Sequence, residues 1–297
     1  MNIRALLRQP ILTLAIHDLE ARWTIGGRGH IRRSGRVPLA DELVDDGVVR
    51  DPAAVGAALR ASPGFRGSTR VQAVVALPAQ RSVFRQMELP ALRGKQFDEL
   101  AEREIRREMP MLADNAYVSW KCTGENDGKA QVFVVGVARD VLDSHVAAAR
   151  EAGLQPYAVD LRVVAAARAV GHADCIVAHT EPNEIEIGIF RDAVPAIVRH
   201  VVMATATTDP AWHAQLGEEL ARTLKFYRDS HRDDAVVTRL PISFVGGVAQ
   251  QAILSEGLSA ATGHDVALPP LELAVAPAEQ ATAFAANVGL AMKELAA

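Results

Sequence analysis

The side chains of this chain that could do chemistry gather at two predicted turns between apolar strands. The first turn carries His17, Glu20 and Arg22, and the second carries His179 and Glu181. A unit negative charge held about 4 Å from a phosphate raises the free energy by roughly 1 to 4 kcal/mol near a protein surface. Glu20 and Glu181 therefore argue against a nucleotide phosphate at either turn.

Metal and nucleophile chemistry find little support in the sequence. The nine histidines include no HxxxH pair, and Cys122 and Cys175 lie far apart and outside zinc-ligand spacing. His17 and His179 occupy corresponding turns and could meet, so a metal site stands as a weaker alternative to solvent-facing or capped histidines. The chain has no GxSxG motif and no P-loop. We therefore predict no catalytic residue and no metal ligand.

Composition indicates a globular protein with more than one core. With 297 residues, of which 49% are hydrophobic and 23% charged, the chain exceeds the usual size of a single core. Lys and Arg total 32 against 36 acids, and the net charge of -4 gives no case for nucleic acid as the ligand. No apolar run approaches the roughly 18 to 20 residues that span a bilayer. Arg4, Arg8 and Pro10 also interrupt any signal-peptide core, so we expect a cytosolic protein.

One order of elements occurs twice along the chain. Three strands, a helix and a strand form the first set, and Asp51 with Pro52 marks the start of its helix. We also expect Asp160 to cap a helix that runs to Val170. The two halves therefore share one topology. The first set is 11–16, 21–25, 30–37, helix 52–61 and 71–77, and the second is 175–179, 184–191, 195–202, helix 212–231 and 242–245.

An alternating module interrupts the first half, and we place it at residues 83–159. Val83, Arg85, Met87 and Leu89 alternate with side chains of different character, which predicts a strand with two faces. A helix, two strands, a second helix and a closing strand follow. The four residues could form a face buried under the module's helices. Alternatively, their strand could be an open edge that accepts a peptide by strand addition.

Several stretches of the sequence resemble one protein family. They are VVALPAQRSVFRQMELP at 74–90, VFVVGVARDVLDSHVAAAREAGLQPYAVDL at 132–161, ELARTLKFYRDS at 219–230, ISFVGGVAQ at 242–250 and NVGLAMKEL at 287–295. Together with the element order, they resemble the actin-like superfamily, in the branch with the pilus assembly protein PilM and the cell-division protein FtsA. The resemblance implies an α/β protein with two actin-like (ribonuclease H-like) lobes. The chain would then divide into a first lobe of 1–82 and 160–172, an α+β subdomain of 83–159 inserted in that lobe, and a reduced second lobe of 173–297 that lacks most of its lid.

The resemblance implies ATP between the two lobes, but the phosphate motifs depart from the family pattern. In the first hairpin, family members carry Asp-Ile-Gly, small residues and a Lys, which hold Mg²⁺ and let backbone N–H groups reach phosphate. Here Ala15 and His17 replace the Asp and the Gly, and Arg22 replaces the Lys. The second hairpin has Ala178 in place of the Asp, and Pro182 has no N–H to donate.

Two further features bear on nucleotide binding. Gly246 and Gly247 keep the turn that would contact adenosine, although a Gly pair is also a tight connection between a strand and a helix. Only a few residues separate Val202 from the long helix, where family members carry a lid over the nucleotide. We therefore predict no cofactor, and we expect Arg22, Gly246 and Gly247 to be the residual contacts if ATP binds.

The function that the resemblance implies is a scaffold. We predict a pseudo-ATPase of a type IV pilus or a related secretion or competence machine, without nucleic acid as a partner. It would bind the cytoplasmic tail of a PilN-like inner-membrane protein through Val83, Arg85, Met87 and Leu89, and pilus motor or platform proteins could also be partners. One rival is an ATP-binding switch that controls partner exchange. A sugar-kinase-like enzyme is disfavoured, because neither hairpin has a catalytic Asp.

Overall fold

The structure of this chain is a computed structural model, and it describes residues 11–27, 30–65, 71–110, 115–232, 234–253, 257–271 and 278–296. The segment with Arg4, Arg8 and Pro10 lies outside these residues. Within the described ranges, every helix is too short or too polar to cross a membrane. The chain divides into two compact units, residues 80–143 and residues 1–79 with 144–297.

Two five-stranded sheets form the larger unit. The strands of the first are β1 (Ile11–Ile16), β2 (Glu20–Gly27), β3 (His30–Pro38), β6 (Gln72–Leu77) and β10 (Gln155–Leu161), and a short ladder of β4 (Val44–Asp45) and β5 (Val48–Val49) follows β3. The strands of the second are β11 (Cys175–Thr180), β12 (Glu184–Arg191), β13 (Val194–Val202), β14 (Ile242–Val245) and β15 (Val266–Ala267). Their orders are β3-β2-β1-β6-β10 and β13-β12-β11-β14-β15. In each sheet an antiparallel meander is followed by a strand parallel to the first, so the predicted repeat of one topology is confirmed.

Helices cover the outer faces of both sheets and fill the space between them. The helices of this unit are α1 (Pro52–Ala61), the end of α3 (Arg139–Glu151), α4 (Arg162–Val170), α5 (Pro210–Ser230), α6 (Ala249–Ile253), α7 (Leu258–Thr262) and α8 (Ala285–Ala296). α1 and the end of α3 pack on the first sheet, and α5, α6 and α7 pack on the second. α4 and α8 pack against each other between the sheets, where α4 contacts β11 and α8 contacts β1. A 3₁₀ segment (Ala278–Phe284) leads into α8.

Local signals in the sequence begin and end these helices. The Asp51 side chain accepts a hydrogen bond from a backbone N–H of the first turn of α1, and Pro52 is its first residue, as predicted. Gly171 ends α4 with a φ of 83°, which is the left-handed conformation that glycine adopts without strain. The prediction that Asp160 caps α4 is wrong. Asp160 lies in β10, and its carboxylate accepts a bond from Arg168 at 2.9 Å.

Residues 80–143 form the smaller unit. The strands β7 (Ser82–Pro90), β8 (Ala116–Asn126) and β9 (Lys129–Ala138) make an antiparallel sheet in the order β7-β9-β8, and α2 (Lys95–Glu108) packs on one face. The insertion predicted at 83–159 runs further than this unit. The reason is that β10, the last strand of that range, pairs with β6 in the first sheet, so residues 144–159 belong to the larger unit.

Candidate functional site

The two charged turns of the sequence meet between the sheets. They have the same backbone bond, because His17 N–H donates to the Glu20 carbonyl at 2.8 Å and Glu181 N–H donates to the Glu184 carbonyl at 2.9 Å. The rings of His17 and His179 stack with their centroids 5.6 Å apart. The turns follow β1 and β11, which hold the same position in the two sheets. The repeated topology therefore brings the two turns face to face.

A buried ion pair joins the two turns. The two terminal nitrogens of Arg22 donate to the two carboxylate oxygens of Glu181, each at 2.6 Å, and the residues are 1% and 3% exposed. Arg22 also donates to the Ala283 carbonyl at 2.9 Å and contacts Glu20. Burial alone disfavours both charges, but the pairing outweighs it, lowering the pKa of Glu181 and raising that of Arg22. Both partners are therefore charged at neutral pH.

A second buried arginine extends this network. Arg162, the first residue of α4, lies 2.6 Å from Glu184 and 3.0 Å from Glu186. Its Nη1 is also 2.6 Å from Nδ1 of His17. Although burial alone would raise the pKa of Glu184, Arg162 and the hydrogen bond from His200 lower it well below its ordinary value. Glu184 is thus ionised, and the guanidinium of Arg162 lies between it and Glu186 within the protein.

The stacked histidines are neutral, and both ring nitrogens of His17 face arginine side chains. Burial, followed by the nearby charges of Arg22 and Arg162, lowers the pKa of His17, and burial lowers that of His179. Ligand atoms of His17, His179 and Glu181 lie within 4.8 Å of one another, a spacing that suits a metal ion. However, Glu181 is held by Arg22, and Nδ1 of His17 faces Arg162. Two guanidinium groups therefore lie where a cation would need to approach.

Gly246 and Gly247 pack closely against Thr180 and the ion pair, respectively. Gly246 has a φ of +105°, and a Cβ there would lie 2.3 Å from the carbonyl oxygen of Thr180. A Cβ on Gly247 would lie 2.3 Å from Nη2 of Arg22 and 2.6 Å from a carboxylate oxygen of Glu181. The Gly247 N–H donates to Glu181 at 3.0 Å. Close packing by itself therefore requires both glycines.

The cleft left beside the ion pair is small and acidic. Its volume is about 130 Å³, whereas small-molecule sites are roughly 300 to 1,000 Å³. Its walls include four carboxylates and two guanidinium groups that are paired with two of them, namely Asp18, Glu20, Glu181, Glu184, Arg22 and Arg36. Burial, together with the negative charge of Glu184, raises the pKa of Asp18 from 3.8 to about 6. Because the ionised form of Asp18 is already disfavoured in this cleft, the cleft is a poor environment for a further anion.

These residues do not fit the Mg²⁺-nucleotide that the resemblance implies. Arg22, predicted as a residual phosphate contact, donates instead to carboxylates and a carbonyl of the protein. The backbone N–H groups of His17, Glu181 and Gly247 are also bound within the protein. That Arg22, Gly246 and Gly247 contact a nucleotide stays a prediction, and the structure gives all three a role in packing the two turns.

Sequence reasoning missed Arg162, Glu184 and Glu186. A signal for the two acids is present in β12, where they alternate with isoleucines in EIEIGIF. Both acids are buried, and a buried carboxylate requires a cation nearby. The identity of that cation could not be read from the local pattern, because Arg162 lies on another element.

The predicted partner-binding residues lie on the edge strand β7 of the smaller unit. Leu89 is buried, and Val83 and Met87 pack with it in the core beneath α2. Arg85 is exposed, and its guanidinium lies 3.4 Å from Glu108 of α2. Three of the four side chains therefore pack under α2. A partner that bound β7 would meet the backbone groups at the edge of this strand and the face of the sheet opposite α2.

The hydrogen-bond pattern shows which residues of β7 face that open edge. Ala138 N–H donates to the Arg81 carbonyl at 3.3 Å, and Ala91 N–H donates to the Gly128 carbonyl at 2.9 Å. Bonded residues alternate along an antiparallel pair, so the odd-numbered residues of β7 bond to β9. The backbone groups of even-numbered residues such as Glu88 are directed to the other edge.

Solved structures of low sequence identity share this fold. One is a PilM-PilN type IV pilus biogenesis complex, with 19% identity and a TM-score of 0.77 over 96% of this chain and 98% of that chain. The cytoplasmic domain of EpsL, an inner membrane component of the type II secretion system of Vibrio cholerae, has 14% identity and a TM-score of 0.52 over 97% and 96%. A Bacteroides thetaiotaomicron protein with an actin-like ATPase fold and unknown function has 11% identity and a TM-score of 0.52 over 98% of each chain. The predicted actin-like fold is confirmed.

Sequence comparison identifies the family directly. No curated protein sequence matches this chain. A family model described as type IV pilus assembly protein PilM matches residues 14–189, which is more than half of the chain and includes both charged turns. The predicted resemblance is thereby confirmed, and the chain belongs to the type IV pilus assembly protein PilM family.

Proposed function

We propose that this protein is a scaffold of a type IV pilus machine, or of a related secretion or competence machine, that works without hydrolysing ATP. The observation that carries this proposal is the buried Arg22–Glu181 pair, which fills the space between the two turns. In the proposed role, the ion pair holds the turns together where the family resemblance places a nucleotide. The protein would then need no ligand in order to keep its two sheets in register.

The chemistry of the turns supports a scaffold without ATPase activity. Ala15 and Ala178 stand where the family pattern has the acids that hold Mg²⁺ through water, and both are completely buried. The carboxylates of Glu20 and Glu184 line the cleft instead. Without a metal-holding acid, a triphosphate could pair with Arg22 or Arg36 only by displacing the carboxylates of Glu181 and Glu20 that they already bind.

The proposed partner is the cytoplasmic tail of a PilN-like inner-membrane protein. Membership of the PilM family and the likeness to a PilM-PilN complex support this choice. We place the tail on the edge of β7, where it would add a strand through backbone groups such as those of Glu88. The protein would then be a cytoplasmic one, located at the inner membrane through its partner.

The first test is calorimetric titration of the purified protein with Mg²⁺-ATP and, separately, with a synthetic tail peptide of the PilN-like protein. The proposal predicts heat from the peptide and none from Mg²⁺-ATP. Micromolar binding of Mg²⁺-ATP would instead make the protein an ATP-binding switch. That second candidate draws on the Gly246–Gly247 pair between a strand and a helix, which the family resemblance places beside adenosine.

The second test separates strand addition from side-chain docking. Glu88→Pro removes an N–H directed away from β9, and we expect it to weaken peptide binding about ten-fold, the loss of one backbone bond. Glu88→Ala keeps the N–H and controls for the carboxylate. Val118→Pro is the matched control on the opposite edge. Arg139 N–H donates to the Asn115 carbonyl, so the even-numbered residues of β8 before the register shift at Cys122–Gly124, including Val118, also face outward. Equal losses in the two proline variants would contradict a site on β7.

A further inference from the structure

The second sheet ends in a strand whose outer side is open. β13 pairs with β12 on one side, and in the described part of the chain no strand lies on its other side. Met203 N–H donates to the Asn183 carbonyl at 2.8 Å, and bonded residues alternate along an antiparallel pair. The odd-numbered residues of β13 in this register therefore bond to β12. The N–H and C=O groups of Val198, His200 and Val202 are directed to the open side.

The corresponding edge of the first sheet is protected in a way that this one is not. Charged side chains on an edge strand oppose pairing with another strand, and β3 exposes three of them, Arg32, Arg33 and Arg36. On β13, Arg199 lies 2.5 Å from Glu219 of α5, and His200 lies 2.9 Å from Glu184 of β12. Each charge is thus offset within the chain, and Pro195 with the adjacent register shift protects only the start of the strand. The second half of β13 is open to another strand.

Two exposed apolar side chains border this edge. Val202 and Phe226 have 62% and 65% of their surface exposed, the largest fractions among the large hydrophobic residues that the structure describes. Phe226 follows Glu219 by seven positions and Thr223 by three, so the three lie on one side of α5. Arg199 of β13 contacts both Glu219 and Thr223. That side of α5 therefore faces the edge strand, and a further strand there would help to cover Phe226.

We propose that the open edge of β13 pairs with β13 of a second copy of this chain, antiparallel about a two-fold axis at His200. This register places Val198 of each copy opposite Val202 of the other, so the outward backbone groups of both copies bond and the exposed Val202 packs on a β-branched side chain. The Val202 carbonyl already accepts a bond from Gln215, and its second lone pair is left for the new strand.

A second copy fits this edge better than a flexible peptide does. Its strand is already extended and ordered, so pairing costs less conformational entropy. The two-fold axis also brings the two α5 helices to the same face of one continuous sheet, where each Phe226 would be covered. The inference goes beyond the proposed function, since it concerns the assembly of the protein with itself through an edge other than β7.

The test is the mass of the full chain in solution, measured by sedimentation velocity over a concentration series. One chain has a mass of 31.8 kDa, and we expect the measured mass to approach twice this value as the concentration rises. Val202→Ser changes a side chain that is exposed in the single chain, and it should weaken dimerisation roughly ten-fold or more. Val198→Pro removes one outward N–H from each copy and should weaken dimerisation about 30-fold, the loss of two backbone bonds.

Matched controls lie on other strands. Val118→Ser removes an exposed valine from β8. Ser34→Pro removes an outward N–H from β3, because Leu39 N–H donates to the Leu19 carbonyl and the even-numbered residues before it in this register face the open side. Both control variants should dimerise like the wild type.

Thermal unfolding of every variant verifies that it is folded, and Val202→Ser decides the outcome if Val198→Pro does not fold. A single-chain mass at every concentration would overturn the proposal. A dimer that the β13 variants do not weaken, or that the control variants weaken equally, would also overturn it. None of these outcomes depends on whether β7 binds a peptide or whether the protein binds ATP.

Discussion

At the scale of single residues, the Arg22–Glu181 ion pair is the main contact between the two turns. Both charges lose their hydration when they are buried, and only good geometry with further hydrogen bonds offsets that loss. Here the two bonds between the side chains are supplemented by the Ala283 carbonyl and the Gly247 N–H. The pair therefore contributes to holding the turns in place, and Glu181 without Arg22 would be a buried charge with no cationic partner in direct contact, whereas Arg22 would keep Glu20.

A double-mutant cycle tests this coupling. Arg22→Met should lower the free energy of unfolding by about 3 to 5 kcal/mol, because Glu181 is left charged and buried. Adding Glu181→Leu should restore much of that loss, since the double variant buries apolar groups of similar volume. Urea denaturation provides the measurement. Arg50→Ala, which breaks an exposed pair with Asp45, is the control and should change stability by less than about 0.5 kcal/mol. Strictly additive losses would show that the pair is not coupled.

Asp18 makes stability depend on pH in a predictable direction. The folded state raises the pKa of this carboxyl from 3.8 to about 6, so ionised Asp18 destabilises the fold above that pH. As pH falls through 6 the folded state takes up the proton first, and the penalty fades toward pH 4. Asp18→Asn mimics the neutral form. We expect it to raise the melting temperature more at about pH 7.5 than at about pH 4.5. The same increase at both values would contradict the assignment.

At the scale of elements, the contact between α4 and α8 organises the larger unit. Asn287 of α8 donates to the carbonyls of Thr13 and Arg22, so this helix holds the first hairpin in place. Arg168 of α4 donates to the carbonyl of Gly289 at 2.8 Å. The two helices approach so closely here that residue 289 has no room for a side chain. The turns at the ends of the strands are positioned by this packing as much as by the sheets.

Replacing Gly289 tests the close approach. An added Cβ would lie 1.7 Å from the carbonyl oxygen of Ala165, which belongs to the backbone and cannot easily give way. Gly289→Ala should therefore lower the free energy of unfolding by about 1 to 3 kcal/mol or more, measured by urea denaturation. Gly217→Ala in α5 is the matched control. Its Cβ would have no heavy atom nearer than 3.8 Å, and higher helix propensity should stabilise the protein by about 0.5 to 1 kcal/mol. A harmless Gly289→Ala would contradict the described packing of α4 on α8.

At the scale of the whole molecule, the proposed absence of a nucleotide ligand has a thermal consequence. A ligand present at about 100 times its dissociation constant stabilises a protein by about 2.7 kcal/mol. We expect millimolar Mg²⁺-ATP to leave the melting temperature of this protein unchanged, because the charged cleft between its turns disfavours the triphosphate. The measurement is thermal unfolding with Mg²⁺-ATP, Mg²⁺-ADP and Mg²⁺ alone. A rise with ATP that Mg²⁺ alone does not produce would favour the switch over the scaffold.

The family resemblance and the repeated topology could be predicted because they depend on local patterns. Apolar strands ended by turns, the cap formed by Asp51 and Pro52, and the alternation around Val83 are all readable over short windows. The limits of the inserted module were less readable, since β10 continues the module's pattern of elements but pairs with β6. The pairing of two strands that lie far apart in the sequence cannot be predicted from the residues of either strand alone.

The sequence by itself determined the fold, the family, and the presence of Ala15 and Ala178 at the two turns, because each of these is a property of residue type and order. Only the tertiary structure decided which groups Arg22 and Glu181 contact. Arg22 and Glu181 are 159 positions apart, and each by itself reads as one charged residue in a turn. Their partnership arises because two sheets of one topology place corresponding turns opposite each other, and burial then requires each charge to find its opposite.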